Sequence, residues 1–312
     1  MSVFKQVRQH SFKHSCRMNR TNFLLLIIIS LFIYQTKTLA QERTRISRDI
    51  PDGVEVLTDI AYVNYQDREL LLDIYRPSNS GDEKLPTIIV IRGGGWTKGD
   101  KEGVGFIAAA LALRGFATVC IEYRASDEST FPAAVLDTKS AVRWVKLNAE
   151  KYNFEKSSIG AIGGSSGAHL AVLLGVSSNV NSLNPTNDKE DFKIQVVVGL
   201  APSTDLTTFS ENELTIKWLG KQYVSNEALW QSASPISYFD KDSPPMLLMH
   251  SSSDNVVPYV QSLLAVEKLG EVGVYSELIL IPDAPHPFWF YEEWFGWTMD
   301  KAASFFKEQL KN

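Results

Sequence analysis

Ser158-Ile159-Gly160-Ala161-Ile162-Gly163-Gly164-Ser165-Ser166-Gly167-Ala168-His169-Leu170-Ala171 begins as a short apolar strand, breaks at a G-x-S-x-G and resumes as a helix. A serine is a weak nucleophile unless the backbone presents it, exposed, on a tight strand-to-helix turn. Gly163 and Gly167 flank Ser165 at the two positions where a Cβ would collide with the neighbouring strand or helix, the arrangement called a nucleophile elbow. The helix that follows points its first N–H groups at any oxyanion formed on Ser165.

Working outward, Leu85–Ile91 reads as a buried strand that runs into Arg92-Gly93-Gly94-Gly95-Trp96-Thr97-Lys98-Gly99-Asp100-Lys101. Such a loop can hold backbone donors against a substrate. An elbow serine takes one oxyanion donor from the next residue, here Ser166, and a second from a glycine loop after an earlier strand, which makes Gly94 and Gly95 the expected partners. On the other side of the elbow, Pro245–His250 is a further apolar strand, and Asp254 follows it in Ser251-Ser252-Ser253-Asp254-Asn255-Val256-Val257-Pro258. Open α/β sheets place their site residues at such strand ends. A last strand, Ser276–Ile281, leads to Pro282-Asp283-Ala284-Pro285-His286-Pro287-Phe288-Trp289.

After residue 40 the only histidines are His169, His250 and His286. His169 lies one helical turn after Ser165 and is expected to pack within the helix. His250 ends a strand and is expected to be a satisfied structural histidine. His286 sits in a loop after the last strand, where an imidazole can reach Ser165. Asp283 is too near His286 in sequence to orient it easily, and Asp205 precedes a separate segment. Ser165, Asp254 and His286 therefore form the expected triad, in the chain order Ser, Asp, His.

Residues 1–22 carry Lys5, Arg8, Lys13, Arg17 and Arg20 and no acid, and an apolar stretch from Phe23 to Tyr34 follows. Twelve residues are too few to span a bilayer comfortably. With the small residues of Thr38-Leu39-Ala40 ahead of Gln41, residues 1–40 read as a secretory signal cleaved after Ala40, an uncleaved N-terminal anchor being the alternative. The expected setting is thus secreted or periplasmic, without stable membrane insertion after cleavage. The remainder, 41–312, keeps 25 Lys and Arg against 36 Asp and Glu, a net charge of −11. That disfavours nucleic acid as a partner. Cys16 precedes the apolar stretch, so Cys120 alone remains after it, expected to be a buried, inert thiol in Phe116–Tyr123. No Cys/His grouping has zinc-ligand spacing, and no metal or other cofactor is expected.

One domain over 41–312 suffices for this length. Residues 54–76 read as an opening antiparallel hairpin, after which strand and helix patterns alternate; Val135, Thr138, Val142 and Val145 mark one helix face. This predicts an α/β fold with a mainly parallel sheet covered on both faces. Residues 205–243 interrupt the alternation, and their Trp218, Tyr223 and Trp230 suggest either a small cap over the site or packing aromatics.

Taken together these segments resemble the α/β-hydrolase superfamily, and within it the esterase/lipase group that carries an HGGGW-x-x-GDK loop, a G-x-S-x-G-x-H-L-A elbow and a D-x-x-V-P acid loop. The resemblance covers roughly residues 55–310. It implies Ser165 as nucleophile, Asp254 as acid, His286 as base, and Gly94, Gly95 and Ser166 as oxyanion donors. The implied activity is hydrolysis of carboxylic esters through an acyl-enzyme. The group includes acetyl-xylan, feruloyl and other carbohydrate esterases, so a small-molecule or polysaccharide ester is the expected partner. A prolyl-oligopeptidase-like peptidase shares fold and triad order, and a non-catalytic binding protein is the alternative of another class. One departure from the group is plain: Arg92 stands where its loop has histidine. Arg92 is expected to brace the loop or to pair with a substrate carboxylate, and Trp96 or Trp289 to line the acyl or alcohol pocket.

Overall fold

Runs of branched apolar residues form the central strands of the computed structural model, which describes residues 43–185 and 192–310. β4 (Ala117–Ile121), β6 (Val196–Leu200) and β7 (Met246–Ser251) are buried along their whole length. That is what a parallel sheet covered on both faces demands. β1 (Val54–Tyr65) alternates exposed and half-buried residues, as an edge strand does, and pairs antiparallel with β2 (Arg68–Pro77). With β3 (Leu85–Ile91), β5 (Phe154–Gly164) and β8 (Ser276–Ile281) the sheet has eight strands in the order β1-β2-β4-β3-β5-β6-β7-β8. All pairs from β4 through β8 are parallel, and β2 joins β4 antiparallel.

Two apolar layers cover the sheet. On one face, α1 (Gly105–Ala112) packs with the last long helix (Glu292–Gln309) over Ile88, Val90, Ile162 and Val198. On the other, α2 (Ala133–Leu147), the short α3 (Ala149–Tyr152) and α4 (Ser166–Val176) cover Ile89, Ile91, Ala161 and Val197. Val135, Val142 and Val145 of α2 are fully buried there, in keeping with the face read from their spacing. This is the α/β-hydrolase architecture.

Between β6 and β7, residues 205–243 contain α5 (Glu213–Leu219), α6 (Glu227–Ser232) and short 3-10 turns. Trp218 and Trp230 are fully buried in the layer under α4. α7 (Val260–Glu271) and α8, the long helix of Glu292–Gln309, complete the set. Cys120 is free and buried, and burial pushes its thiol well above the ordinary range. Among the described residues no helix is long and apolar enough to cross a membrane. The signal segment expected over 1–40, with Cys16, lies outside the described residues.

Candidate active site

β5 stops at Gly164 and α4 starts at Ser166, so Ser165 carries the whole reversal, with φ 55° and ψ −125°. A non-glycine residue rarely holds such a conformation, and here the surroundings enforce it. The Ser165 amide donates to the Leu200 carbonyl at 2.7 Å, and the Ser165 carbonyl accepts from the His169 amide at 2.9 Å. The flanking glycines fit because nothing larger could. A Cβ on Gly163 would lie 2.4 Å from the Gly167 backbone, and one on Gly167 would lie 2.3 Å from the Ile91 carbonyl oxygen. Strand, turn and helix are thus pressed together through backbone.

Asp254, in the loop after β7, and His286, in the loop after β8, come to the same end of the sheet. His286 Nδ1 lies 2.6 Å from Asp254 Oδ2, and His286 Nε2 lies 2.9 Å from Ser165 Oγ. The carboxylate can only accept, so Nδ1 carries the proton and Nε2 is left to accept from the serine hydroxyl. The Asp254 side chain is fully buried. Burial pushes its carboxyl up, but hydrogen bonds from His250, His286 and the Val257 amide outweigh that and hold it well below the usual carboxylate range. Trp289 meets the His286 ring edge-on, with centroids 5.7 Å apart.

A second Ser-His-Asp grouping shares Asp254. His250 Nδ1 lies 2.8 Å from Ser262 Oγ, and His250 Nε2 lies 3.3 Å from Asp254 Oδ2. Ser262 and His250 are both fully buried, and neither borders the cavity that holds Ser165. A nucleophile must meet its substrate. Of the two serines only Ser165 can. His169, likewise fully buried, sits between the Trp96 indole N–H, 3.2 Å from Nδ1, and the Ala233 carbonyl, 2.8 Å from Nε2.

Ser165 and His286 open into a cavity of about 240 Å³, lined also by Arg92, Gly93, Gly94, Lys98, Val104, Gly164, Pro287, Trp289 and Phe290. Trp289 is thus one of the residues at the cavity wall. Trp96 is not among them, and that expectation is corrected: it stacks on Trp218 at 4.7 Å and its indole N–H donates to the buried His169. Gly95 also lies off the cavity, turned toward Leu214, whose Cδ1 would be 2.6 Å from a Cβ there. No residue of 205–243 lines this cavity, so the aromatics of that segment pack rather than cap it.

The loop before α1 is held by contacts that its glycines do not announce. The Ser166 hydroxyl accepts from the Gly94 amide at 3.0 Å and from the Trp96 amide at 3.2 Å, which clips the loop to the elbow. Arg92 Nη1 pairs with Asp100 Oδ1 at 2.5 Å, bracing the loop upon itself. The Tyr123 hydroxyl stands 2.8 Å from the Arg92 carbonyl and 2.7 Å from that of Lys98, its single proton serving the two in turn. Lys101 is buried and meets Asp73 of β2 at 3.1 Å and Asp59 at 2.8 Å. Lys101 and Asp73 escaped the sequence reading because their pairing spans β2 and the loop; the only local signal was a lysine closing the GDK run.

The chain is 34% identical over 234 residues to the esterase LipQ of Mycobacterium tuberculosis, a match that covers 71% of this chain and 55% of that protein. It spans little more than half the length of the curated relatives it matches first, 55–57%. Among solved structures, a truncated carbohydrate esterase from gut microbiota superposes with a TM-score of 0.74 at 27% identity, covering 86% of this chain and all of that one. A bifunctional GH43-CE protein of Bacteroides eggerthii gives a TM-score of 0.72 at 27% identity, covering 84% of this chain and 36% of that one. The model of the BD-FAE family matches residues 72–269. That span holds the glycine loop, Ser165 and Asp254, with His286 brought in from beyond it, and on this match the chain belongs to the BD-FAE family.

Proposed function

We propose that the protein is a serine carboxylic-ester hydrolase acting on acylated carbohydrate. One observation carries the chemistry: an imidazole placed 2.9 Å from Ser165 Oγ and 2.6 Å from a buried carboxylate, at the wall of an open cavity. As Ser165 Oγ attacks the ester carbonyl, its proton passes to His286 Nε2, and Asp254 stabilises the imidazolium that forms. The tetrahedral oxyanion takes hydrogen bonds from the Ser166 amide at the start of α4 and from the Gly94 amide, which exchanges the Ser166 hydroxyl for it. Collapse breaks the ester C–O bond, and His286 returns the proton to the departing alcohol. Water then enters, gives a proton to His286 as its oxygen bonds to the acyl carbon, and the second tetrahedral intermediate collapses by breaking the acyl C–Oγ bond; His286 returns the proton to Ser165 Oγ and the carboxylic acid leaves.

The carbohydrate part of the reading is supported by the two solved relatives, a carbohydrate esterase and a GH43-CE protein, and by an aromatic side chain, Trp289, at the cavity wall. The basic and then apolar run through Tyr34, followed by Thr38 to Ala40, supports export as the setting. A panel of acetyl and feruloyl esters on sugar and non-sugar alcohols tests the proposal. Sugar esters are expected to show the higher kcat/KM for a given acyl group. Equal values on both kinds of alcohol would refute the carbohydrate assignment.

A further inference from the structure

Resting on the assignment of Ser165, Asp254 and His286, we propose that His250, held by Ser262, is a positioning residue that fixes the Asp254 carboxylate and so the orientation of His286. The tautomer of His250 follows from its neighbours. Nε2 lies 2.9 Å from the Val257 carbonyl oxygen, an atom that can only accept, so Nε2 carries the proton. Nδ1 then has a lone pair, and Ser262 Oγ at 2.8 Å donates to it. The same Nε2–H also faces Asp254 Oδ2 at 3.3 Å. His250 thus holds both the carboxylate and the carbonyl of Val257, three residues further along the loop.

Asp254 is thereby gripped on both oxygens. Oδ1 accepts from the amides of Val256 and Val257, each at 2.9 Å. Oδ2 accepts from His286 at 2.6 Å and from His250. With His250 in place the carboxylate has no free direction in which to rotate, and its bond to His286 is aimed by the rest of the set. The elements agree with this: His250 comes from β7 and Ser262 from the first turn of α7, so strand and helix fix the loop between them. Both side chains are fully buried, which gives the network no bulk water to exchange with.

The test compares His250→Leu, which removes both ring contacts, with His250→Gln, whose amide can still donate toward Asp254 and Val257. Ser165→Ala is measured alongside, on one neutral acetyl ester. The leucine variant is expected to lose kcat by about tenfold to hundredfold at unchanged KM, since misaligning a reacting group costs rate rather than binding. The glutamine variant is expected to recover most of that loss. A merely structural role predicts lower thermal stability with kcat intact, and that result overturns the proposal. Where the leucine variant yields no folded protein, Ser262→Ala decides, with a severalfold fall in kcat at constant KM expected and an unchanged kcat overturning it. Wild-type turnover by Ser165→Ala overturns the underlying triad instead. An inactive Ser165→Ala beside a fully active His250→Leu sinks this inference alone.

Discussion

Replacing Lys101 by methionine isolates the contact that ties the glycine loop to the sheet. Lys101 Nζ is 3.1 Å from Asp73 Oδ1, and the two side chains are 3% and 4% exposed. Its other partners, Asp59 and Glu102, have side chains 64% and 67% exposed, so water screens them and they contribute little. Lys101→Met therefore acts chiefly by leaving Asp73 buried without its cation, a change that costs about 3–5 kcal/mol. Asp73 keeps the Asp59 amide, 2.9 Å from Oδ1, which puts the expectation at the lower end, about 3 kcal/mol. At about 2.1 cal/mol/K of unfolding entropy per residue, a domain of about 270 residues would lose roughly 5 °C in Tm. Calorimetric melting of Lys101→Met, Asp73→Asn and the double variant closes the cycle. The double variant should be more stable than Lys101→Met, because its buried side chain is uncharged. A Tm within about 2 °C of wild type for Lys101→Met, or single effects that simply add, would mean that the buried pair does not hold the loop to the sheet.

Gly167→Ala should reduce hydrolysis by about a hundredfold or more, since its Cβ meets the Ile91 carbonyl at 2.3 Å and the elbow must shift; activity near wild type in steady-state assays would contradict this. Burial pushes His169 down to about 4 from an ordinary 6.5, so the folded state binds a proton less readily than the unfolded one. The sign follows: stability is unaffected above pH 6.5, falls as pH drops toward 4 and levels off there, with a total loss of about 3 kcal/mol that denaturant melts of His169→Gln should lack. Trp289→Ala should raise KM for bulky aryl esters more than for acetyl esters, whereas Trp96→Phe should lower Tm and leave that ratio unchanged.

The fold and the triad were legible because their signals are local. An apolar run ending in G-x-S-x-G, an acid just past the β7 strand and a histidine past the β8 strand each declare a strand end, and a parallel sheet gathers such ends on one edge. The pocket was less legible. Trp96 and Trp289 both follow glycine- or proline-rich loops and both are buried, and it is the packing of Trp96 on Trp218 that takes it away from the residues bordering the cavity. Gly94 and Gly95 are indistinguishable as letters, yet one borders the cavity and the other abuts Leu214 of α5. The Ser166 hydroxyl, Lys101 and Asp73 act across distances in sequence that no spacing rule covers.

The proposed mechanism makes Ser165, and not the buried Ser262 that donates to His250, the residue that forms the acyl-enzyme. Incubation with a fluorophosphonate followed by peptide mapping by mass spectrometry reads the site of attack directly. A single adduct is expected on the peptide that contains Ser165, lost in Ser165→Ala and retained in Ser262→Ala. An adduct on Ser262, or none on an active preparation, would contradict that mechanism.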